Sequence, residues 1–276
     1  MQVRTFDDAT SFLSVAEPWL LERITENNLM LGIATNARSA PGFYGVEPWC
    51  ALVLDGARPV LAALRTPPRP AVLSLGEPRA VPFLAEALRR DQPDNPGVIG
   101  PREPAEALAT AWAGPGWHQA MAMRAYELTE LAPDPRRPVG VLRPVSPGEA
   151  PLLARWIEGF HQDAHLRDET PAIELARRMM QGSRAFFFEV DGRAVATVAG
   201  SGDIPGAARI GMVYTPPELR GRGYGSAATA ALSQALLAQG ARACFLFTDL
   251  ANPTSNSIYQ RVGYQPVCDY ADLLFG

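Results

Sequence analysis

The sequence predicts a mixed α/β fold, α+β in character, laid down as two tandem copies of one domain. Three observations predict it. An apolar run at 209–215, a glycine-rich turn and an alanine-rich segment ending near Gly240 read as strand, turn and helix. Pairs of apolar runs joined by Asp55-Gly56 and by Asp191-Gly192 occur at matching places in the two halves. A proline-rich stretch, 132–138, lies midway between them and blocks regular structure. The division is therefore a first domain at 1–131, a linker at 132–138 and a second domain at 139–276.

The elements repeat in order. In the first half the hairpin at 49–64 precedes a short strand at 71–75 and an amphipathic helix at 81–90. A strand near Val98, a helix at 103–113 and a strand at 121–128 follow. In the second half the hairpin at 185–199 precedes a strand at 209–215 and a helix at 223–239. Then come a strand at 243–248, a helix at 255–262 and a final strand from Gln265. The two halves differ where the glycine turn stands. The first has Leu75-Gly76-Glu77-Pro78-Arg79-Ala80-Val81-Pro82, whose prolines remove N–H donors.

Composition narrows the function classes. The net charge of −4 implies no broad basic surface, so no nucleic-acid partner is expected. No apolar run reaches membrane-spanning length and the first residues show no secretory leader, so the expected location is cytoplasmic, with no membrane partner. Cys50, Cys244 and Cys268 show no paired spacing, which supports neither a disulfide framework nor a zinc site. Cys244 sits in an apolar run and reads as a core filler.

The chemistry is concentrated in Arg220-Gly221-Arg222-Gly223-Tyr224-Gly225-Ser226. Glycines admit positive φ and close approach, and the amides at a helix start favour an anion. A nucleoside-triphosphate loop needs a lysine after its last glycine, and the chain contains no lysine. Gly223 to Ala228 fits a dinucleotide fingerprint, with Asp249 after the next apolar run. Against it stand the distance from Thr215 to Gly223, the intervening Pro216-Pro217, and a tail too short to complete a doubly wound sheet. An acyl-coenzyme A site is the third reading.

Two motifs carry a resemblance for that third reading. Arg220, Gly223 and Gly225 match Arg/Gln-x-x-Gly-x-Gly/Ala after a strand, and the segment from Asn252 to Tyr264 matches a second element one helix and one strand later. Residues 139–276 thereby resemble the GCN5-related N-acetyltransferase (GNAT) family. The resemblance implies two acyl-CoA N-acyltransferase-like domains. Each would have a central, mostly antiparallel twisted sheet with a splayed fourth and fifth strand, flanked by helices, the first copy being degenerate. It implies acetyl-CoA as the coenzyme, with its pyrophosphate over the amides of Gly221, Arg222, Gly223, Tyr224, Gly225 and Ser226. Positive charge would come from Arg220 and Arg222, and free strand backbone for the pantetheine arm from Val213, Tyr214 and Thr215. A backbone group near Val213 would polarise the thioester carbonyl. Tyr259 falls where many members place the tyrosine that protonates the departing thiolate; packing on the sheet is its structural alternative. Asn252 would contact the coenzyme or cap the next helix.

The sequence also departs from the family. The position of a glutamate base found in some members holds Arg209, leaving Asp249 or Glu218 as weaker alternatives, or a chain of waters. The segment from Gly159 to Glu169 would shape the acceptor side. Its Asp163, Asp168 and Glu169 suit a cationic amine, and His161 and His165 stand one helical turn apart without completing a metal site. The expected partner is a primary amine on a small molecule or peptide, and the expected assembly a monomer or homodimer. Two alternatives stay open: a non-catalytic acyl-CoA sensor or scaffold, and a transferase of a longer acyl group.

Overall fold

The computed structural model describes residues 1–134, 136–164 and 170–276. Two compact units emerge, and neither is one continuous stretch of chain. The first comprises residues 1–126, 247–253 and 266–276; the second comprises 127–246 and 254–265. The division expected at 132–138 describes the linear chain, whereas the first unit also takes in residues 247–253 and 266–276.

The first unit opens with β1 (Gln2–Phe6), α1 (Ala9–Leu21) and α2 (Ile24–Ser39). Asp8 starts α1 by accepting the Ser11 N–H at 2.7 Å. The hairpin of β2 (Trp49–Asp55) and β3 (Arg58–Arg65) follows, then β4 (Ala71–Leu73), α3 (Val81–Asp91), β5 (Gly97–Pro101), α4 (Arg102–Ala113) and β6 (Trp117–Leu128). The expected elements from residue 49 onward are present, with bounds shifted by a few residues. The strand order is β1-β2-β3-β4-β5, and the sixth place, next to β5, is taken by the C-terminal β12 (Gln265–Phe275), which pairs antiparallel with β5 from Tyr270↔Pro101 to Leu274↔Gly97. Ala271 and Leu273 of that strand are fully buried in one apolar cluster with Ala51, Leu61, Leu73 and Leu84. The last strand of the chain therefore completes the core of the first unit.

In the second unit β7 (Val141–Pro144) leads into α5 (Ala150–Asp163) and α6 (Ala172–Gln181). The hairpin of β8 (Ala185–Val190) and β9 (Arg193–Ile204) follows, and then β10 (Ala207–Tyr214), α7 (Tyr224–Ala238), β11 (Ala243–Asp249) and α8 (Pro253–Val262). The strand order is β11-β10-β9-β8-β7. β7–β8, β8–β9 and β9–β10 are antiparallel, and β10–β11 is parallel. Helix α5 is fixed on one sheet face by Leu153, Trp156 and Ile157, with the Trp156 and Phe187 rings edge to face at 4.9 Å. Helix α7 lies close over β9: a Cβ on Gly200 would come within 2.8 Å of Leu232 Cδ2. The alanines on the buried face of α7 permit that approach. Cys244 is fully buried, the core position read from its apolar surroundings. Among the described residues no helix is long and apolar enough to cross a membrane.

Candidate active site

The site begins where strand pairing stops. β10 and β11 pair in parallel only at Ala207↔Ala243, Ala208↔Cys244 and Arg209↔Phe245, yet β10 continues to Tyr214. Beyond Arg209 that edge of β10 has no ladder partner in β11. On the other edge β10 stays on β9 up to Tyr214↔Thr197, with one extra residue on β10 between Gly211 and Tyr214. Met212 takes φ 45° within that bulge, a conformation that strains any residue with a Cβ. A bulge takes its extra residue out of the ladder and re-aims the local backbone, which here happens beside Val213.

The glycine turn follows directly. After the turn at Pro217–Leu219, Gly221 and Gly223 adopt φ 75° and 78°, and Gly223 is the N-cap of α7. No side chain caps the helix. The first helical bond is Ala227 N–H to Gly223 O at 3.0 Å, so Tyr224, Gly225 and Ser226 present amides that helix geometry leaves without intrahelical acceptors. The positive end of the helix dipole adds to them. A Cβ on Gly225 would stand 3.2 Å from Thr215 Oγ1 and 3.5 Å from Val213 Cγ1, so glycine is what lets the first turn of α7 lie against the end of β10.

Three of the expected coenzyme residues have further duties. Arg220 is turned back onto its own turn: Nε donates to Thr215 O at 3.0 Å and Nη2 to Asp163 Oδ2 at 2.5 Å. Its charge is balanced by Asp163, which places Asp163 in this brace rather than free to line an acceptor pocket. Thr215, expected to offer free backbone, has its carbonyl occupied by the same bond. The Tyr214 side chain is buried in the α5 cluster, over Gly159, where a Cβ would overlap the ring; Tyr214 therefore offers backbone, not its phenol. Arg222 is exposed and has no carboxylate partner among the described residues.

Tyr259 lies on α8, half-buried, its ring edge to face with Tyr264 at 6.1 Å. Its hydroxyl has no hydrogen-bond partner among the described residues, and burial pushes the phenol up to about 12. Such a group is a neutral donor at ordinary pH. Behind it runs a buried polar chain that sequence reading missed. Thr229 Oγ1 donates to Gly225 O at 2.9 Å, Ser233 Oγ to Thr229 O at 2.8 Å, and the Ser233 and Tyr264 hydroxyls share a bond of 2.8 Å. The hydroxyls at Thr229 and Ser233 are spaced one turn apart on α7, and that spacing was the available signal.

With this geometry in view, the comparisons bear on residues 151–264 and on the fold. A model of the acetyltransferase (GNAT) family matches residues 151–264. Residues 151–264 are a GNAT acetyltransferase domain. A GNAT-family acetyltransferase from Colwellia psychrerythraea has a similar structure, with a TM-score of 0.58 and 10% identity, covering 100% of this chain and 99% of its own. A tandem GNAT protein from the clavulanic acid biosynthesis pathway gives 0.56 and 16%, covering 100% and 98%. A GCN5-related N-acetyltransferase from Kribbella flavida gives 0.56 and 22%, covering 81% and 88%. At these identities the structures speak for the fold, and the fold of the whole chain is that of tandem GNAT proteins. No curated protein sequence matches the chain.

Other sequence candidates fall outside the GNAT loop. Asn252 and Asp249 belong to the first compact unit. Asn252 immediately precedes α8 and Pro253 opens it, the arrangement of a cap and first helical residue. Asp249 Oδ1 accepts the Ala251 N–H at 2.8 Å, closing a turn. Glu218, one of the alternative bases, is exposed in the turn at Pro217–Leu219. His161 lies in the last turn of α5, while His165, Asp168 and Glu169 lie outside the described residues.

The first unit has the matching splay without the matching opening. β4 and β5 pair in parallel at Ala71↔Val98 and Val72↔Ile99. Three residues beyond the last pair, the Leu75 N–H donates to Asn27 Oδ1 at 2.8 Å, and Asn27 Nδ2 donates to Leu20 O at 3.1 Å. The equivalent step beyond Arg209 is Met212. A buried asparagine of α2 thus fills a backbone position that the bulge opens in the GNAT domain. The α3 start adds Pro82 and no side-chain cap.

Proposed function

We propose that the chain transfers an acetyl group from acetyl-CoA to a primary amine of a small molecule or peptide by direct attack on the thioester. The observation that carries this reading is the end of β10–β11 pairing at Arg209, coupled to a bulge at Met212 and an uncapped, glycine-led start of α7. The α7 amides and Gly223 suit a pyrophosphate, and the open edge of β10 near Val213 suits an extended amide-bearing arm. An N–H near Val213 would polarise the carbonyl as the amine nitrogen bonds to its carbon and the C–S bond breaks. The amine proton passes to solvent or a base, and the thiolate takes the proton of Tyr259. Coenzyme A supplies the activated acyl group; everything else is positioning by this chain. A non-catalytic acyl-CoA sensor is the second reading, favoured by Arg209 at the position of the family glutamate.

Calorimetric titration with acetyl-CoA, followed by thiol-release assays over a panel of amines, tests both readings. Saturation at one site per chain, abolished by the double substitution Gly223→Glu and Gly225→Glu, is the expected result. Binding without thiol release for any amine would favour the sensor. Absence of binding by folded protein would remove both.

A further inference from the structure

Resting on the acetyl-CoA reading, we infer that Gly211 sets acceptor specificity: it leaves room beside the thioester for the apolar body of the amine, so the substrate class is a primary amine carrying an alkyl or aryl group. The two faces of β10 have different neighbours. Ile210 pairs with Gly200, and a Cβ on Gly200 would stand 2.8 Å from Leu232 Cδ2 of α7 and 3.3 Å from Ile210 Cδ1. Val213 Cγ1 lies 3.5 Å from where a Cβ on Gly225 of α7 would stand. Ile210 and Val213 therefore point to the α7 side. Gly211 pairs with Ala199, which pairs with Ala185, and Ala185 belongs to the apolar cluster under α5 and α6. Residues directly opposite in a ladder share a face, so Gly211 opens on the α5–α6 side.

That side has space at Gly211. A Cβ there would meet nothing within 4 Å, whereas Cβ atoms on Gly159 and Gly200 would strike Tyr214 and Leu232. Gly211 does not take a positive φ, so the backbone does not require glycine; what glycine supplies is room for a close approach. The space lies at the reacting centre. Gly211 is beyond the last β10–β11 pair, Arg209↔Phe245, and next to the bulge at Met212. A coenzyme running from the α7 amides to Val213 fills the α7 side, which leaves the α5–α6 side to the amine. Phe160 of α5, Met179 of α6 and Met212 are half-buried and pack on the same apolar cluster. Their thioethers conform to varied apolar shapes. Two residues before Gly211, on the same face, stands Arg209, and Asp163 is held by Arg220. A cation at that place repels a second cation on the acceptor.

The test measures kcat/KM with acetyl-CoA for phenylethylamine, ethylamine and diaminobutane, on the full chain of wild type and of Gly211→Val. Wild type is expected to favour phenylethylamine over each of the others by roughly tenfold or more. Gly211→Val should reduce that preference by roughly tenfold, through the aryl amine, because the new side chain fills the space its body needs. Calorimetry should show acetyl-CoA binding unchanged in the variant, which also shows an intact fold. A wild type that favours diaminobutane, or that does not distinguish the amines, would overturn the assignment. So would a variant that slows all three amines alike or that binds acetyl-CoA less tightly. A variant that keeps the amine preference and loses only turnover of hexanoyl-CoA would give the space to the acyl chain, and would overturn it too. Failure of wild type to bind acetyl-CoA, or binding without thiol release for any amine, would remove the transfer reading and this assignment with it.

Discussion

Two side chains at the residue scale have effects large enough to measure singly. Tyr259 has a hydroxyl without a protein partner among the described residues, and burial holds it protonated to about 12. In Tyr259→Phe, kcat should fall by about 100-fold while coenzyme binding stays within error. Because the phenol stays neutral, the ratio of wild type to variant should be flat from about pH 6 to about pH 9. A ratio near one in steady-state assays would return Tyr259 to a packing role. Glu149 is structural. It accepts from Arg143 Nη1 and Nη2 at 2.7 and 2.9 Å, and those bonds hold its carboxyl down at about 2. A depressed carboxylate stabilises the fold above its unfolded pKa and loses that contribution as pH falls through the folded one. Glu149→Gln should cost about 1–2 kcal/mol at neutral pH. The difference should shrink between pH 4.5, the unperturbed value, and about pH 2, as urea unfolding at several pH values would report.

Helix α5 and strand β10 set the geometry at the scale of elements. Gly159 lies over the Tyr214 ring, and the chain continues from Tyr214 into the glycine turn. A methyl group there has to push the ring or the helix away. Gly159→Ala should therefore destabilise by about 1–3 kcal/mol despite the better helix propensity of alanine. It should also weaken acetyl-CoA binding, since the displaced ring is attached to the bulged strand. Thermal melting and calorimetry together check this; a variant as stable as wild type would show that α5 has slack over β10.

The whole molecule is divided in space differently from its division in sequence. β12 supplies Ala271 and Leu273 to the core of the first unit and pairs along β5. A fragment of residues 1–131 would expose that edge of β5 and lack part of its core. It should fail to show a cooperative melt or remain soluble, while the full chain does both. A folded, cooperative 1–131 fragment would show that β12 is an accessory to the first unit.

The sequence by itself determined the element order over 49–128 and from 185 onward, though not β7, α5 and α6, because Asp-Gly turns, prolines and apolar periods act locally. It also determined the glycine turn before α7, because Gly221 and Gly223 take positive φ and Gly225 gives clearance against β10. β1, α1 and α2 were not read from it; α2 carries buried Thr25, Asn27 and Asn28 that blur its apolar face. Tertiary structure alone decided that Arg220 braces against Asp163, that Asn27 fills the first splay, that Pro138 lies on Gly223 and that β12 returns to the first unit. Each joins residues distant in the chain. Local pattern records what one residue asks of its neighbours, and such contacts are fixed only when the packed sheet brings their partners together.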